Sequence, residues 1–150
     1  MQTVTFLLGS KTDTEFAQKI ADLLMEYGVG SDIIVASAHK VPEKVVKIVE
    51  GLNARTEPTV VITVVGMSNG LGGVVAGSCI HPVLNCPPFK DHDDYLVNVH
   101  SSLQMPSDVP AMTVLNPKNA AMAALRILAQ SDDDLKKKLL ERIRKIKAEY

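Results

Sequence analysis

Apolar residues fall along this chain in short unbroken blocks, separated by longer segments in which they recur every three or four positions. The blocks at residues 4–8, 33–36 and 59–65 are continuous and rich in branched side chains, as strands buried on both faces are. Between the first two, Phe16, Ile20, Leu23, Leu24 and Tyr27 share one helical face, with Thr12 or Asp13 as the cap and Gly28 as the stop. Pro42 suits the first turn of a second helix carrying Val45, Val46, Ile48, Val49 and Leu52. Beyond the third block, small residues up to Ser78 predict a tightly packed helix, followed by a short strand at 82–84. Cys86-Pro87-Pro88 breaks the chain, and residues 91–103 are expected to be partly helical. A last strand is predicted at 111–115 and an alanine-rich helix at 117–129. At about 132–149, Leu135, Leu139, Leu140, Ile143 and Ile146 line one face of a helix that is otherwise charged.

Continuous strands that alternate with helices, without hairpin turns, imply a parallel sheet covered on both faces. No repeat, low-complexity tract or linker interrupts the pattern, so one α/β domain over residues 1–150 is expected. Ligands of such sheets sit beyond the carboxyl ends of the strands, where the strand order switches. Three of these ends carry polar or glycine-rich sequence: GSKTD at 9–13, SAHK at 37–40 and GMSNGLGG at 66–73.

Composition narrows the function. A formal net charge of −1 offers no basic field for nucleic acid. No apolar run approaches the ~20 residues of a membrane helix, and the first residues lack the basic flank of a signal peptide. Cys79 and Cys86 have neither CxxC spacing nor a histidine cluster beside them, so buried free thiols in a cytoplasmic protein are expected. His81, His92 and His100 are scattered without metal-ligand spacing, and no metal is expected.

Each strand-end cluster has a chemical and a plainer reading. GSKTD joins a strand, a glycine turn and a helix start, so free amides and the hydroxyls of Ser10 and Thr12 can converge on an anion. Asp13 would repel a phosphate at contact but can accept hydrogen bonds from a ribose diol. The plainer alternative is that Thr12 or Asp13 only caps the helix. In SAHK, a histidine can exchange a proton near neutral pH, and Lys40 can bind an anion as a point charge. The alternative is a half-buried histidine bonded to backbone, with Lys40 solvated. In GMSNGLGG the glycines admit a ligand to the backbone, with Ser68 and Asn69 as further donors. A simple turn before a small-residue helix is the competing reading. Asp91, Asp93 and Asp94 read as a solvated helix start, and Lys136 to Lys138 as the wet face of the last helix.

Taken in order, these clusters resemble the aminoimidazole ribonucleotide (AIR) carboxylases of purine biosynthesis, the PurE family. The GSxSD motif of that family appears as Gly9 to Asp13, with threonine at the second serine, and its SAH motif as Ser37 to Pro42. The resemblance continues through VVGMSNGLGGVVAG, PVLNCPP and SSLQMPSDVP to the helix after Asn116-Pro117. It implies a three-layer α/β/α sandwich with a parallel, flavodoxin-like sheet, assembled as a homo-oligomer, a tetramer or octamer. One branch of the family moves a carboxylate from the exocyclic nitrogen to the ring; the other adds CO2 to AIR directly. Lys40 and Ser68-Asn69-Gly70 are similar to the second, which implies no ATP, biotin or metal. The resemblance also implies His39 as the catalytic base, Ser10, Thr12 and Lys40 about the 5′-phosphate, and Asp13 on the ribose hydroxyls. Ser37 and the loop around Ser68, with Gly66, Asn69 and Gly70, then lie against the imidazole and its carboxylate, with Ala38 among the binding positions. The small-molecule partners implied are AIR and CO2.

Overall fold

The three continuous apolar blocks are strands, and they stand side by side. The structure, a computed structural model, describes residues 2–150. Strands β1 (Thr3–Leu8), β2 (Gly30–Val35), β3 (Thr59–Val64), β4 (Val83–Asn85) and β5 (Ala111–Thr113) form one sheet in the order β2-β1-β3-β4-β5. Every pairing is parallel. Leu8 stands level with Val35 on one side and Val64 on the other, so the chain leaves the sheet at the same height in all three strands. The order reverses between β1 and β3, which opens a crevice at their carboxyl ends.

Side chains alternate between the faces of the sheet. Val4, Phe6, Leu8, Val60, Ile62 and Val64 pack on one side with Ile20 and Leu24 of α1 (Thr14–Glu26) and Leu125 and Leu128 of α6 (Pro117–Leu128). Leu7 and Val61 point the other way, onto Val45, Val49 and Leu52 of α2 (Pro42–Asn53) and Leu71 and Val75 of α3 (Gly70–Ser78). The result is a three-layer α/β/α sandwich. Each of these fully buried large side chains contributes on the order of 1.5–3 kcal/mol. Two short helices, α4 (His92–Asn98) and α5 (His100–Leu103), bridge β4 to β5.

The structure revises several local expectations. The segment after β1 is a 3-10 turn (Lys11–Asp13) leading into α1, and its cap is Ser10 rather than Thr12 or Asp13. Strand β5 ends at Thr113, two residues early, and β4 runs one residue later than predicted. The amphipathic tail is α7 (Asp133–Lys147), opened by Asp132, whose carboxylate accepts from the amides of Asp134 and Leu135. Only Leu135 and Leu139 of its apolar face are buried; Leu140 and Ile146 remain 48% and 42% exposed. Ile143 is half-buried, so among the described residues the cover of this face thins out after the second turn.

Both cysteines are free thiols, and burial pushes Cys86 up to about 12. Among the described residues no group of His, Cys, Asp or Glu is arranged to hold a metal ion. No described helix is long and apolar enough to cross a membrane.

Candidate active site

The first wall of the crevice is the turn after β1. The backbone of Ser10 is extended (φ −145°), which aims its side chain back along the turn: Oγ accepts from the Thr12 amide at 3.3 Å and from Thr12 Oγ1 at 2.9 Å. That capping bond frees Asp13. Its carboxylate makes no capping hydrogen bond to α1, and burial raises its pKa above the usual carboxylate value. A carboxylate that is partly desolvated without a partner carries a cost that nothing in the turn offsets.

The second wall follows β2. The Ala36 amide still donates to Leu8 O at 2.9 Å, continuing the ladder. The chain then turns: Ser37 Oγ accepts from the Lys40 amide at 3.3 Å, and Ser37 O accepts from the Val41 amide at 2.9 Å. Pro42 starts α2 one residue later. The turn puts the His39 ring over the start of α3. A Cβ on Gly70 would lie 2.8 Å from His39 Nε2 and 2.9 Å from Cε1, so the imidazole occupies the space that glycine leaves empty. His39 is exposed, and among the described residues its ring has no hydrogen-bond partner. The plainer reading, a half-buried histidine tied to backbone, instead describes His81, whose Nε2 lies 2.8 Å from Leu52 O.

The third wall, after β3, is held from behind. Asn69 caps α3, its Oδ1 accepting from the Gly72 amide at 2.8 Å, while its Nδ2 donates to Ser102 Oγ at 3.0 Å. Ser101 Oγ accepts from the Asn69 amide at 3.1 Å and shares its proton between Met67 O and Asn98 O, both at 2.9 Å. Beneath them Asn85 accepts from Thr63 Oγ1 at 2.6 Å and donates to Ser102 O at 3.3 Å. Thr113 Oγ1 donates to that same carbonyl at 2.8 Å. This buried polar network fastens the loop bearing Ser68 to β3, β4, α5 and β5.

The three walls enclose an open cavity of about 430 Å³. That is within the range of small-molecule sites. Ser10, Thr12, Asp13, Ser37, Ala38, His39, Gly66 and Ser68 all line it. Three of the residues expected there do not: Lys40 is exposed outside the wall, Asn69 is buried in its cap, and Gly70 lies behind His39. Residues 3–149 match the family described as AIR carboxylase.

The chain belongs to the AIR carboxylase family. It is 38% identical over 135 residues to a phosphoribosylaminoimidazole carboxylase of Archaeoglobus fulgidus, covering 90% of this chain and 73% of that one. It is 42% identical over 125 residues to a bifunctional phosphoribosylaminoimidazole carboxylase/phosphoribosylaminoimidazole succinocarboxamide synthetase of Drosophila melanogaster. That match covers 83% of this chain but 29% of the fly protein, so the chain spans under a third of its fused animal relatives. A Methanocaldococcus jannaschii relative named N5-carboxyaminoimidazole ribonucleotide mutase is 38% identical over 146 residues, 96% of this chain and 90% of its own. The crystal structure of Treponema denticola PurE superposes with a TM-score of 0.92 at 34% identity, covering 99% of this chain and 94% of that one.

In this AIR carboxylase family chain two charged wall residues escaped the sequence reading. Lys90, in the segment between β4 and α4, and Asp94, in the first turn of α4, line the cavity. Asp94 Oδ2 accepts from the Lys90 amide at 2.8 Å and Oδ1 from Asn98 Nδ2 at 2.7 Å, and the Lys90 amide bond is the main cause of the lowered pKa of Asp94. Asp91 caps the same helix by accepting from the Asp94 amide. An aspartate three residues after a capping aspartate was a legible sign of the helix start. Nothing in the sequence pointed that start at the cavity.

Proposed function

We propose that this chain carboxylates AIR at ring carbon 4 with CO2, without ATP, biotin or metal, and also catalyses the reverse decarboxylation. The observation that carries the reading is His39: an imidazole without a protein partner, set by Gly70 at the wall of a nucleotide-sized cavity. AIR is an electron-rich enamine. Its carbon 4 attacks the CO2 carbon, forming the new C–C bond, and that carbon then bears both a hydrogen and the carboxylate. His39 takes the proton as the ring regains aromaticity; in reverse, its protonated form returns it. A positioned base contributes ~10²–10⁴-fold, and holding CO2 against the ring adds a proximity gain. Ser10 and Thr12 provide hydroxyls for the phosphate end, Asp13 takes the ribose hydroxyls, and Ser37 and Ser68 face the base and carboxylate.

The mutase reading is the alternative, since a relative of equal identity carries that name. Lys40 and Ser68-Asn69-Gly70 favour direct carboxylation, by likeness to the CO2-using branch. A non-catalytic binding module would keep the phosphate turn but has no use for an unpaired His39. Mixing the protein with AIR and CO2-equilibrated bicarbonate, without ATP, is expected to yield the 4-carboxylated nucleotide. Conversion of the N-carboxylated nucleotide alone would instead make it a mutase. The uncovered apolar residues of α7 fit packing against further copies, so we expect a homo-oligomer.

Asp13→Ala separates binding from capping. If Asp13 were a cap, alanine would cost roughly 0.5–2 kcal/mol of stability. The structure predicts the reverse. Burial raises the folded-state pKa of Asp13 above 3.8, so the folded chain holds this proton more tightly than the unfolded chain. The stability it contributes is present below pH 3.8 and is lost as pH rises through the folded value, leaving an unfavourable charge at neutrality. The variant is expected to melt no lower than the parent at pH 7 while affinity for AIR falls about tenfold or more, as one charge-assisted hydrogen bond implies. A lower melting temperature with unchanged affinity would return Asp13 to a capping role.

A further inference from the structure

Ser68 lines the cavity from an exposed loop, and among the described residues the main chain of residues 66–68 makes a single hydrogen bond. That bond goes to α5: Ser101 Oγ donates to Met67 O at 2.9 Å. The same hydroxyl accepts from the Asn69 amide at 3.1 Å. Ser101 therefore holds one peptide group before Ser68 and one after it, the two that bracket its backbone torsions. A hydroxyl can do both, because it has one proton to donate and two lone pairs that accept. The side chains of Asn69 and Ser102 secure the start of α3; among the described residues only Ser101 reaches back across Ser68 to Met67. Asn69 is 4% exposed, so water is a poor substitute for the acceptor of its amide. The clamp is also a junction. Ser101 Oγ lies 2.9 Å from Asn98 O as well, so the proton that steadies Met67 is contested by the helix that carries Asp94.

We infer that Ser101 is a positioning residue of this site: its hydroxyl fixes the backbone on both sides of Ser68 and so sets how that side chain meets the substrate. The inference rests on the carboxylation reading for what Ser68 meets, whereas the clamp is a property of the fold. Ser101 is not among the residues lining the cavity, so it acts through Ser68. Without the clamp the loop loses its tether, and a misplacement of about 1 Å can cost ~10²-fold in rate.

In the full chain, Ser101→Ala is expected to lower kcat/KM for AIR about tenfold or more per folded molecule. Affinity for ribose 5-phosphate, which lacks the base that Ser68 faces, should stay within about twofold by calorimetry. Ser101→Thr keeps a hydroxyl and should recover most of the loss. Ser131→Ala removes the same kind of local bond elsewhere, Oγ to Leu128 O at 3.2 Å, and should leave turnover unchanged. A double-mutant cycle decides the matter: in a Ser68→Ala background, adding Ser101→Ala should cost less than about twofold. Losses that multiply independently, or an undiminished kcat/KM in Ser101→Ala, overturn the inference. Hydrogen exchange of the Asn69 amide, followed by NMR, tests the clamp without turnover and should quicken about tenfold or more in Ser101→Ala. An unchanged exchange rate overturns the inference as well. Quickened exchange in Ser101→Ala, together with a parent that never carboxylates AIR, leaves the clamp standing and removes the reaction proposed above.

Discussion

His39→Asn is expected to keep its fold and its nucleotide binding while losing roughly two to four orders of magnitude in turnover, the range for a missing general base. Asparagine has similar reach and stays polar, but it cannot accept and release the carbon 4 proton. The structure sharpens the stability half of the expectation. The His39 ring has no hydrogen-bond partner among the described residues and is exposed, so its removal breaks no bond of the fold. Surface changes of that kind fall within about 0.5 kcal/mol. Melting temperature, ribose 5-phosphate affinity and AIR turnover measured on one preparation decide the matter. Near-native turnover would remove His39 from the chemistry; a large drop in melting temperature would make it structural.

The largest expected loss of stability is at Gly72. A Cβ there would run into Asn85 Oδ1 and come within 2.7 Å of Asn69 Nδ2, both buried and both hydrogen-bonded. Neither amide can retreat without giving up a partner. Overpacking costs ~1–3 kcal/mol, and each buried polar group left unpaired adds ~1–3 kcal/mol. Gly72→Ala should therefore destabilise by about 3 kcal/mol or more, lowering the melting temperature by roughly 10 °C in a domain of this size. Because Asn69 and Ser101 hold the loop bearing Ser68, AIR affinity should fall in the folded fraction too. Thermal and urea unfolding that match the parent would show that the network repacks freely.

The architecture was legible because its strongest signals are local. Three blocks of branched residues make the first three strands, β1 and β3 inside the sheet and β2 at its edge, and their polar ends come together because the sheet is parallel and in register. Hence Ser10, Asp13, His39 and Ser68, each following a strand, line one cavity. What failed was the assignment of individual side chains. Thr12 and Asp13 have capping chemistry, but the extended backbone of Ser10 claims the amide first. Asn69 looks like a ligand donor until its partner Ser102, far along the chain, is brought beneath it. The tail periodicity gave the amphipathic helix α7, but nothing in it says how far its apolar face is covered within the chain. Lys90 was invisible because nothing local distinguishes a lysine on a cavity wall from one in solvent.

Helix α3 carries four glycines in nine residues, at 70, 72, 73 and 77. Each forfeits ~1 kcal/mol of helix propensity relative to alanine. Anyone seeking a more heat-resistant version of this protein would be drawn to replace all four. At Gly73 and Gly77 an added methyl meets only ordinary contacts, 3.5 Å from Met105 Sδ and from Val109 Cγ2. At Gly70 it would displace the imidazole from the cavity wall. About half of the propensity forgone in this helix is therefore out of reach of redesign, because the same missing atoms keep the imidazole and the Asn69 cap in place.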